Sequence, residues 1–146
     1  LEIYGDGNFV EEAKQLTVQL GLTNSILFKG NQLNAWKYLY NANCFIFPSW
    51  YEGLSGALIE AAVSGIPIIA SNISMNIEVI KQCQTAKLHQ VQDVGSIVDS
   101  MTIMIENYNE YLSHTTSARD RIVEKFDIRM ISRQYEDFFV SLSNKK

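Results

Sequence analysis

The sequence predicts an α/β protein, a parallel sheet flanked by helices. Short apolar runs alternate with longer amphipathic ones along its 146 residues. Strand-then-helix alternation of that kind is what crossover helices between parallel strands produce. Gly21 and Gly65 follow the last periodic residues of two predicted helices, where a left-handed backbone ends a helix cleanly. Pro67 opens the run Ile68-Ile69-Ala70. That is the first position of a strand, where a missing N–H is tolerated.

Taken in order, Leu1 to Tyr4 reads as the first strand, running into Gly5-Asp6-Gly7. A helix is predicted from about Phe9 to Leu20, with Ala13, Leu16 and Leu20 on one apolar face. Ile26-Leu27-Phe28 is the second strand, ending at Gly30, and Asn34 is placed to cap a short helix through Trp36, Leu39 and Tyr40. Cys44 to Phe47 is a continuous apolar run closed by Pro48, as expected of a strand buried on both faces. Leu54 to Ser64 is the next helix and Pro67 to Ala70 the fourth strand. Beyond Ser71 come a short helix from Asn76 to Gln82, an edge strand over Ala86-Lys87-Leu88, and a helix capped by Asp93 running to about Asn107. From Tyr108 onward the chain reads as two helical segments broken near Phe126-Asp127.

Composition narrows the function classes. Hydrophobic residues make up 47% and charged residues 19%, which suits a soluble globular domain and excludes a disordered or fibrous chain. The net charge of -4 argues against a nucleic-acid partner, because coating phosphates needs a basic excess. Cys44 and Cys83 lack metal-ligand spacing and read as reduced thiols. No run approaches the ~20 apolar residues of a membrane span, and no charged-then-apolar leader opens the chain. Because Leu1 already lies within a strand, the reading is that of a piece cut from a longer protein.

Chemistry concentrates in Pro48-Ser49-Trp50-Tyr51-Glu52-Gly53-Leu54-Ser55-Gly56-Ala57-Leu58-Ile59-Glu60-Ala61. The segment follows a predicted buried strand and opens a helix, and open parallel sheets bind ligands beyond the carboxyl ends of their strands. Gly53 and Gly56 allow close backbone approach. The N–H groups of Gly53, Leu54 and Ser55, expected at a helix N-terminus, form an anion site suited to phosphate. Glu60 interrupts an apolar stretch and shares a small polar stripe with Gly56 and Ser64. By itself that stripe is equally a solvated helix face bearing a surface glutamate. Were Glu52 and Glu60 on one helix, eight residues would separate them by ~12 Å. That exceeds the roughly 5–9.5 Å of glycosidase acid/base pairs, and suits two carboxylates holding opposite ends of an extended ligand.

This segment resembles the glutamate-x7-glutamate motif of GT-B fold glycosyltransferases, especially glycosyltransferase family 4 (the glycosyl transferases group 1). Strand-Gly5-x-Gly7, Ile26-x-Phe28-x-Gly30, Pro48-Ser49-x-Tyr51-Glu52-Gly53, Glu60-Ala61-x-x-Ser64-Gly65-Ile66-Pro67, Ala70-Ser71 and Glu78-Val79-Ile80 stand in the family's order and spacing. The resemblance implies a Rossmann-like sheet, with residues 1–146 as the nucleotide-sugar-binding C-terminal domain of a GT-B fold. It implies that Glu52 meets the hydroxyls of the transferred sugar, near the reacting carbon. Gly53, Leu54 and Ser55 would present amides to donor sugar and diphosphate, and Glu60 would hold the ribose. The backbone of Phe28, Lys29 and Gly30 would lie near the base, with Gly5 and Gly7 on the cleft floor. The resemblance thus assigns donor binding to Gly5, Gly7, Phe28, Lys29, Gly30, Gly53, Leu54, Ser55 and Glu60, and catalysis to Glu52.

The resemblance further implies a retaining transfer from a nucleotide-diphosphate sugar to a saccharide or lipid-linked acceptor. No metal and no cofactor is expected, and the setting implied is cell-envelope, capsular or exopolysaccharide synthesis, in the cytoplasm or peripherally at the inner membrane face. The family's diphosphate-binding arginine and lysine belong to a strand-helix unit that would precede Leu1. The N-terminal acceptor domain, which often supplies a catalytic histidine, would precede it too. The fragment alone is therefore expected to be inactive. His89 and His114 do not match that histidine and read as edge-strand surface and helix surface.

Three other readings compete. A dinucleotide oxidoreductase is disfavoured because the third glycine of its fingerprint falls on Val10 and Lys29-Gly30 stand where strand two needs an acid. A nucleotide-sugar epimerase on the same fold and a non-catalytic sugar-nucleotide-binding module stay open. Phe126, Tyr135, Phe138 and Phe139 read as packing on the sheet or on another domain. Lys145 and Lys146 are too few for a membrane surface.

Overall fold

The computed structural model describes residues 1–81, 83 and 85–143. The end of the helix expected at Gln82, and the pair Lys145 and Lys146, lie outside the described residues. The chain divides into two compact units, Leu1–Tyr38 and the remainder from Leu39.

In the first unit, β1 (Glu2–Tyr4) and β2 (Leu27–Gly30) pair in parallel. Register slips between Ile3 and Tyr4, and the Gly5 amide closes the ladder on the Gly30 carbonyl at 2.9 Å. Gly5 and Gly30 sit at φ 121° and 66°, a region costly for any side chain. Between the strands runs α1 (Val10–Gln19), with Glu11 and Glu12 in its first turn, where the helix dipole favours acids. It ends as the sequence predicts. Gly21 is left-handed, its amide bonds Val18 O at 3.0 Å, and the Leu22 amide bonds Thr17 O at 2.9 Å, the paired bonds of a Schellman stop.

The expected apolar face of α1 is not buried. Leu16 and Leu20 are 53% and 61% exposed, while Thr17, one position round the helix, is covered and returns its hydroxyl to Ala13 O. Two short strands offer a ten-residue helix too little apolar surface to cover its whole stripe. After β2, a 3₁₀ stretch (Ala35–Asn41) takes the place of the expected short helix. Asn34 serves it with its backbone, in a left-handed conformation, its carbonyl accepting from the Lys37 amide.

The second unit holds a parallel three-stranded sheet in the order β3 (Phe45–Phe47), β4 (Ile68–Ser71), β5 (Ala86–His89). Ile46 pairs with Ile69, and Ser71 with His89. The strand buried on both faces is β4, all four of whose residues are buried, and not β3, whose three residues are half-buried. A central strand has a neighbour on each side, whereas β3 has one within this unit. α2 (Gly56–Ser64) buries Leu58, Ala61 and Ala62 against Ala118 and Ile122 of α6 (Thr115–Phe126). Gly65, left-handed, ends α2.

α3 (Ser74–Ile80) follows β4, starting two residues earlier than the sequence suggests. α4 (Val94–Glu106) is capped by the Asp93 carboxylate on the Ser96 amide at 2.9 Å, as predicted. The C-terminal region forms three helices rather than two: α5 (Tyr108–Ser113), α6 and α7 (Ile128–Ser143), the last break falling at Asp127 as expected. Phe126 packs on the core. Tyr135, Phe138 and Phe139 stay more than half exposed, and Phe139 stacks on Tyr135 and meets Phe138 at a tilt, away from the core. Within this unit α7 shows its aromatic face to solvent. Among the described residues no helix is long and apolar enough to cross a membrane.

Candidate functional site

Strand β3 delivers the chain to Pro48, and a loop from Ser49 to Ser55 leads into α2. The helix starts later than the sequence predicts. Its N-cap is Ser55, whose hydroxyl accepts from the Leu58 amide at 3.2 Å. A side-chain cap needs an extended backbone at that residue, and Ser55 has it, at φ −75° and ψ 107°. Gly53, Leu54 and Ser55 therefore stand ahead of the helix, not on its first turn. Their N–H groups nevertheless donate to nothing among the described residues, nor do those of Gly56 and Ala57, which are the amides at the helix mouth. Five consecutive unspent donors line this turn. Neither Gly53 nor Gly56 has a positive φ, and neither has a neighbour within 4 Å of a notional Cβ. What the two glycines provide is open space over the amides.

Glu52 sits half-buried in this loop and accepts a hydrogen bond from the Ser49 hydroxyl at 2.5 Å on Oε1. Glu60, one turn into α2, is exposed, and its carboxylate makes no hydrogen bond or ion pair among the described residues. Its stripe partners are as expected in placement. Gly56 is exposed, and Ser64 turns its hydroxyl back onto the Glu60 carbonyl at 2.8 Å. The ~12 Å estimate for the two carboxylates does not carry over, since it assumed helical rise from Glu52 onward and the helix begins only at Gly56. A cleft of about 550 Å³ opens beside the loop, lined by Trp50, Tyr51, Glu52, Gly53, Ile73, Ser74 and Met75.

The remaining expected donor-binding residues lie in the first unit. Gly5 and Gly30 close the β1–β2 ladder, Phe28 is half-buried in β2, and Lys29 holds its ammonium 3.0 Å from Glu2. Glu2 in turn takes the Tyr4 phenol at 2.5 Å, which pushes the Tyr4 pKa up to about 12. The Gly7 amide is already spent on the Asp6 carboxylate at 2.8 Å. What Gly7 offers a ligand is room, not a donor.

His89 is not surface. It is 4% exposed at the end of β5, with Nδ1 against the Gln90 carbonyl at 2.9 Å and Nε2 without a partner among the described residues. Helix α4 packs on β5. His114 is half-buried where α5 meets α6 rather than on a helix surface. Cys44 and Cys83 are unpaired, and burial pushes the Cys44 thiol up to about 11 and the Cys83 thiol upward as well.

Sequence reasoning assigned no role to the groups that hold the loop. Asn76, wholly buried in α3, donates from Nδ2 to the Ser71 carbonyl at 3.0 Å and the Ser71 hydroxyl at 3.3 Å. The Ser71 hydroxyl donates to the Ser49 carbonyl and lies 3.2 Å from that of Phe47. A signal was available: Asn76 shares one helix face with Ile73, Val79 and Ile80, and an amide on an apolar face needs partners to be buried.

Residues 1–121 match the family described as "Glycosyl transferases group 1". The chain belongs to that family. Its relatives include the 2-deoxystreptamine N-acetyl-D-glucosaminyltransferase of Niallia circulans, 32% identical over 71% of this chain and 27% of the relative. Another is the N-acetyl-alpha-D-glucosaminyl L-malate synthase of Bacillus anthracis, 27% identical over 95% of this chain and 36% of the relative. The chain thus spans about a third of the length of these relatives. Among solved structures, Anabaena HepE in complex with UDP superposes with a TM-score of 0.86 at 20% identity, over 96% of this chain and 40% of that one. The C-terminal domain of the group 1 family protein LpcC from Francisella tularensis gives 0.67 at 23% identity, over 81% and 62%. The fold is that of the GT-B glycosyltransferases, α/β with parallel sheets flanked by helices.

Proposed function

We propose that this chain is the donor-binding, C-terminal domain of a retaining glycosyltransferase that uses a nucleotide-diphosphate sugar. The observation that carries the reading is the turn from Gly53 to Ala57, whose five free amides stand between a pinned Glu52 and an unpaired Glu60. As a glycosidic bond to diphosphate breaks, negative charge grows on the leaving group. Fixed N–H dipoles facing that charge lower the barrier without having to reorganise. Glu52 is proposed to hold the sugar hydroxyls and Glu60 the ribose. Binding of UDP by Anabaena HepE supports a nucleotide of this class.

In this reading the partner domain, supplying the acceptor site, precedes the chain in the full-length protein, and the acceptor is a saccharide or lipid-linked sugar. Transfer is proposed to proceed without a bound metal, at or near the cytoplasmic membrane face, in surface polysaccharide synthesis. The test is calorimetry on the full-length protein against UDP, GDP and ADP sugars. One of them is expected to bind, and Glu60→Ala is expected to weaken that donor about tenfold, the loss of a charged hydrogen bond. Unchanged donor affinity in that variant refutes the ribose assignment. Turnover of the bound donor to free epimerised sugar nucleotide, with no glycosylated acceptor, refutes the transferase.

A further inference from the structure

We propose that Ser49 is a positioning residue that aims the Glu52 carboxylate, and that Ser71 and Asn76 aim Ser49. The inference rests on the reading of Glu52 as the carboxylate that meets the sugar, and deepens it by naming what holds that group still.

Glu52 stands in a loop with no ladder or helix bonds to orient it. Its one side-chain partner among the described residues is Ser49 Oγ, at 2.5 Å. That hydroxyl also lies 3.2 Å from the Tyr51 carbonyl. It has a single proton, and an ionised acceptor at the shorter distance takes it, because hydrogen bonds to charge are the stronger. With Oε1 occupied, Oε2 is left for a ligand.

Ser49 is itself fixed from the core outward. Its carbonyl receives the Ser71 hydroxyl from the end of β4, and Asn76 in turn donates to both the carbonyl and the hydroxyl of Ser71. Asn76 is fully buried, and its amide cannot be reversed, since the Ser71 carbonyl only accepts. The proton directions agree along the whole line: Asn76 to Ser71, Ser71 to the Ser49 backbone, Ser49 to Glu52. Asn76 and Ser71 are fully buried, while Ser49 and Glu52 are half-buried in the loop. This is how a loop group acquires the precision of a packed element.

The experiment is steady-state kinetics of the full-length protein with its donor, for Ser49→Ala, Ser49→Thr, Ser49→Cys, Glu52→Ala and the pair Ser49→Ala/Glu52→Ala. Ser49→Ala should lower kcat about tenfold with donor KM moving less than about twofold, and Ser49→Thr should recover most of the rate. In the Glu52→Ala background the same change should cost less than about twofold, because nothing is left to aim. Should Ser49→Ala fail to fold, Ser49→Cys carries the test, with an intermediate fall in kcat expected from its weak donor and a wild-type rate overturning the proposal. A wild-type rate in Ser49→Ala, or a loss that persists undiminished beside Glu52→Ala, also overturns it while leaving the donor site intact. Full turnover in Glu52→Ala alone overturns the role of Glu52 itself, and this inference with it.

Discussion

Replacing Ser55 by alanine removes the cap of the helix on which the proposed site is built. Substituting a serine N-cap by alanine costs about 0.5–2 kcal/mol. Two features of this site push the value to the upper end. Ser55 is 4% exposed, so water does not readily reach the Leu58 amide once the hydroxyl is gone. Leu58 is itself completely buried at the centre of the α2–α6 contact, so fraying the first turn draws a core side chain with it. We expect a loss of about 2 kcal/mol, equivalent to a fall in Tm of about 4–8 °C for a chain of this size. Ser55→Gly should be milder, by about 1 kcal/mol, because glycine lets water solvate the freed amide. Urea titration followed by circular dichroism, with m unchanged, measures both values. A Ser55→Ala protein as stable as the parent, or less stable than Ser55→Gly by nothing measurable, shows that the bond to Leu58 does not set where α2 begins.

Two further outcomes follow from the same geometry. Glu52→Gln keeps the shape of the side chain and an acceptor for Ser49 but removes the charge, so turnover should fall by at least about tenfold while donor affinity, measured by calorimetry, changes little; a near-wild-type rate dismisses the assigned role. Glu78 of α3 is held by the ammonium of Lys125 of α6 and by that of Lys81, both at 2.5 Å, and these bonds pull its pKa from 4.5 to about 2. A carboxyl whose folded pKa is depressed stabilises above its unfolded value and loses that effect as pH falls through the folded one. The Tm deficit of Glu78→Gln should therefore be full above about pH 5 and shrink toward zero near pH 2; a deficit independent of pH across that window excludes the ion pairs as its cause.

Much of the candidate site is legible in the residues, and for local reasons. Glycine after a periodic run, aspartate three residues before a serine amide and serine ahead of an apolar helix each act within one turn. The stops at Gly21 and Gly65 and the cap at Asp93 accordingly fall where expected. The segment from Pro48 to Ala61 stands out for the same reason: a carboxylate and glycines are costly there unless something beyond packing is served. Errors fall where a side-chain bond or tertiary packing overrides what spacing suggests. Ser55 reads as a helical amide donor, yet its own hydroxyl makes it the cap, and the helix waits for Gly56. His89 reads as surface because β5 is a margin of its sheet, yet the fold buries it. Leu16 reads as core because of its spacing, and its own unit leaves it uncovered.

By itself the sequence determined the α/β class, the succession of strands and crossover helices as far as α4, the stops at Gly21 and Gly65, and the segment that forms the candidate site. Each of these depends on backbone preferences and side-chain periodicity within a few residues. The tertiary structure alone decided that β4 rather than β3 is the fully buried strand, that α7 leaves its aromatic face open, and that Asn76, through Ser71 and Ser49, reaches Glu52. Those outcomes depend on which surfaces meet and where a buried polar group finds its partner, 5 residues away for Asn76 and Ser71 and 22 for Ser71 and Ser49. A hydrogen-bond line of that span exists only once α3, β4 and the loop after β3 are packed together.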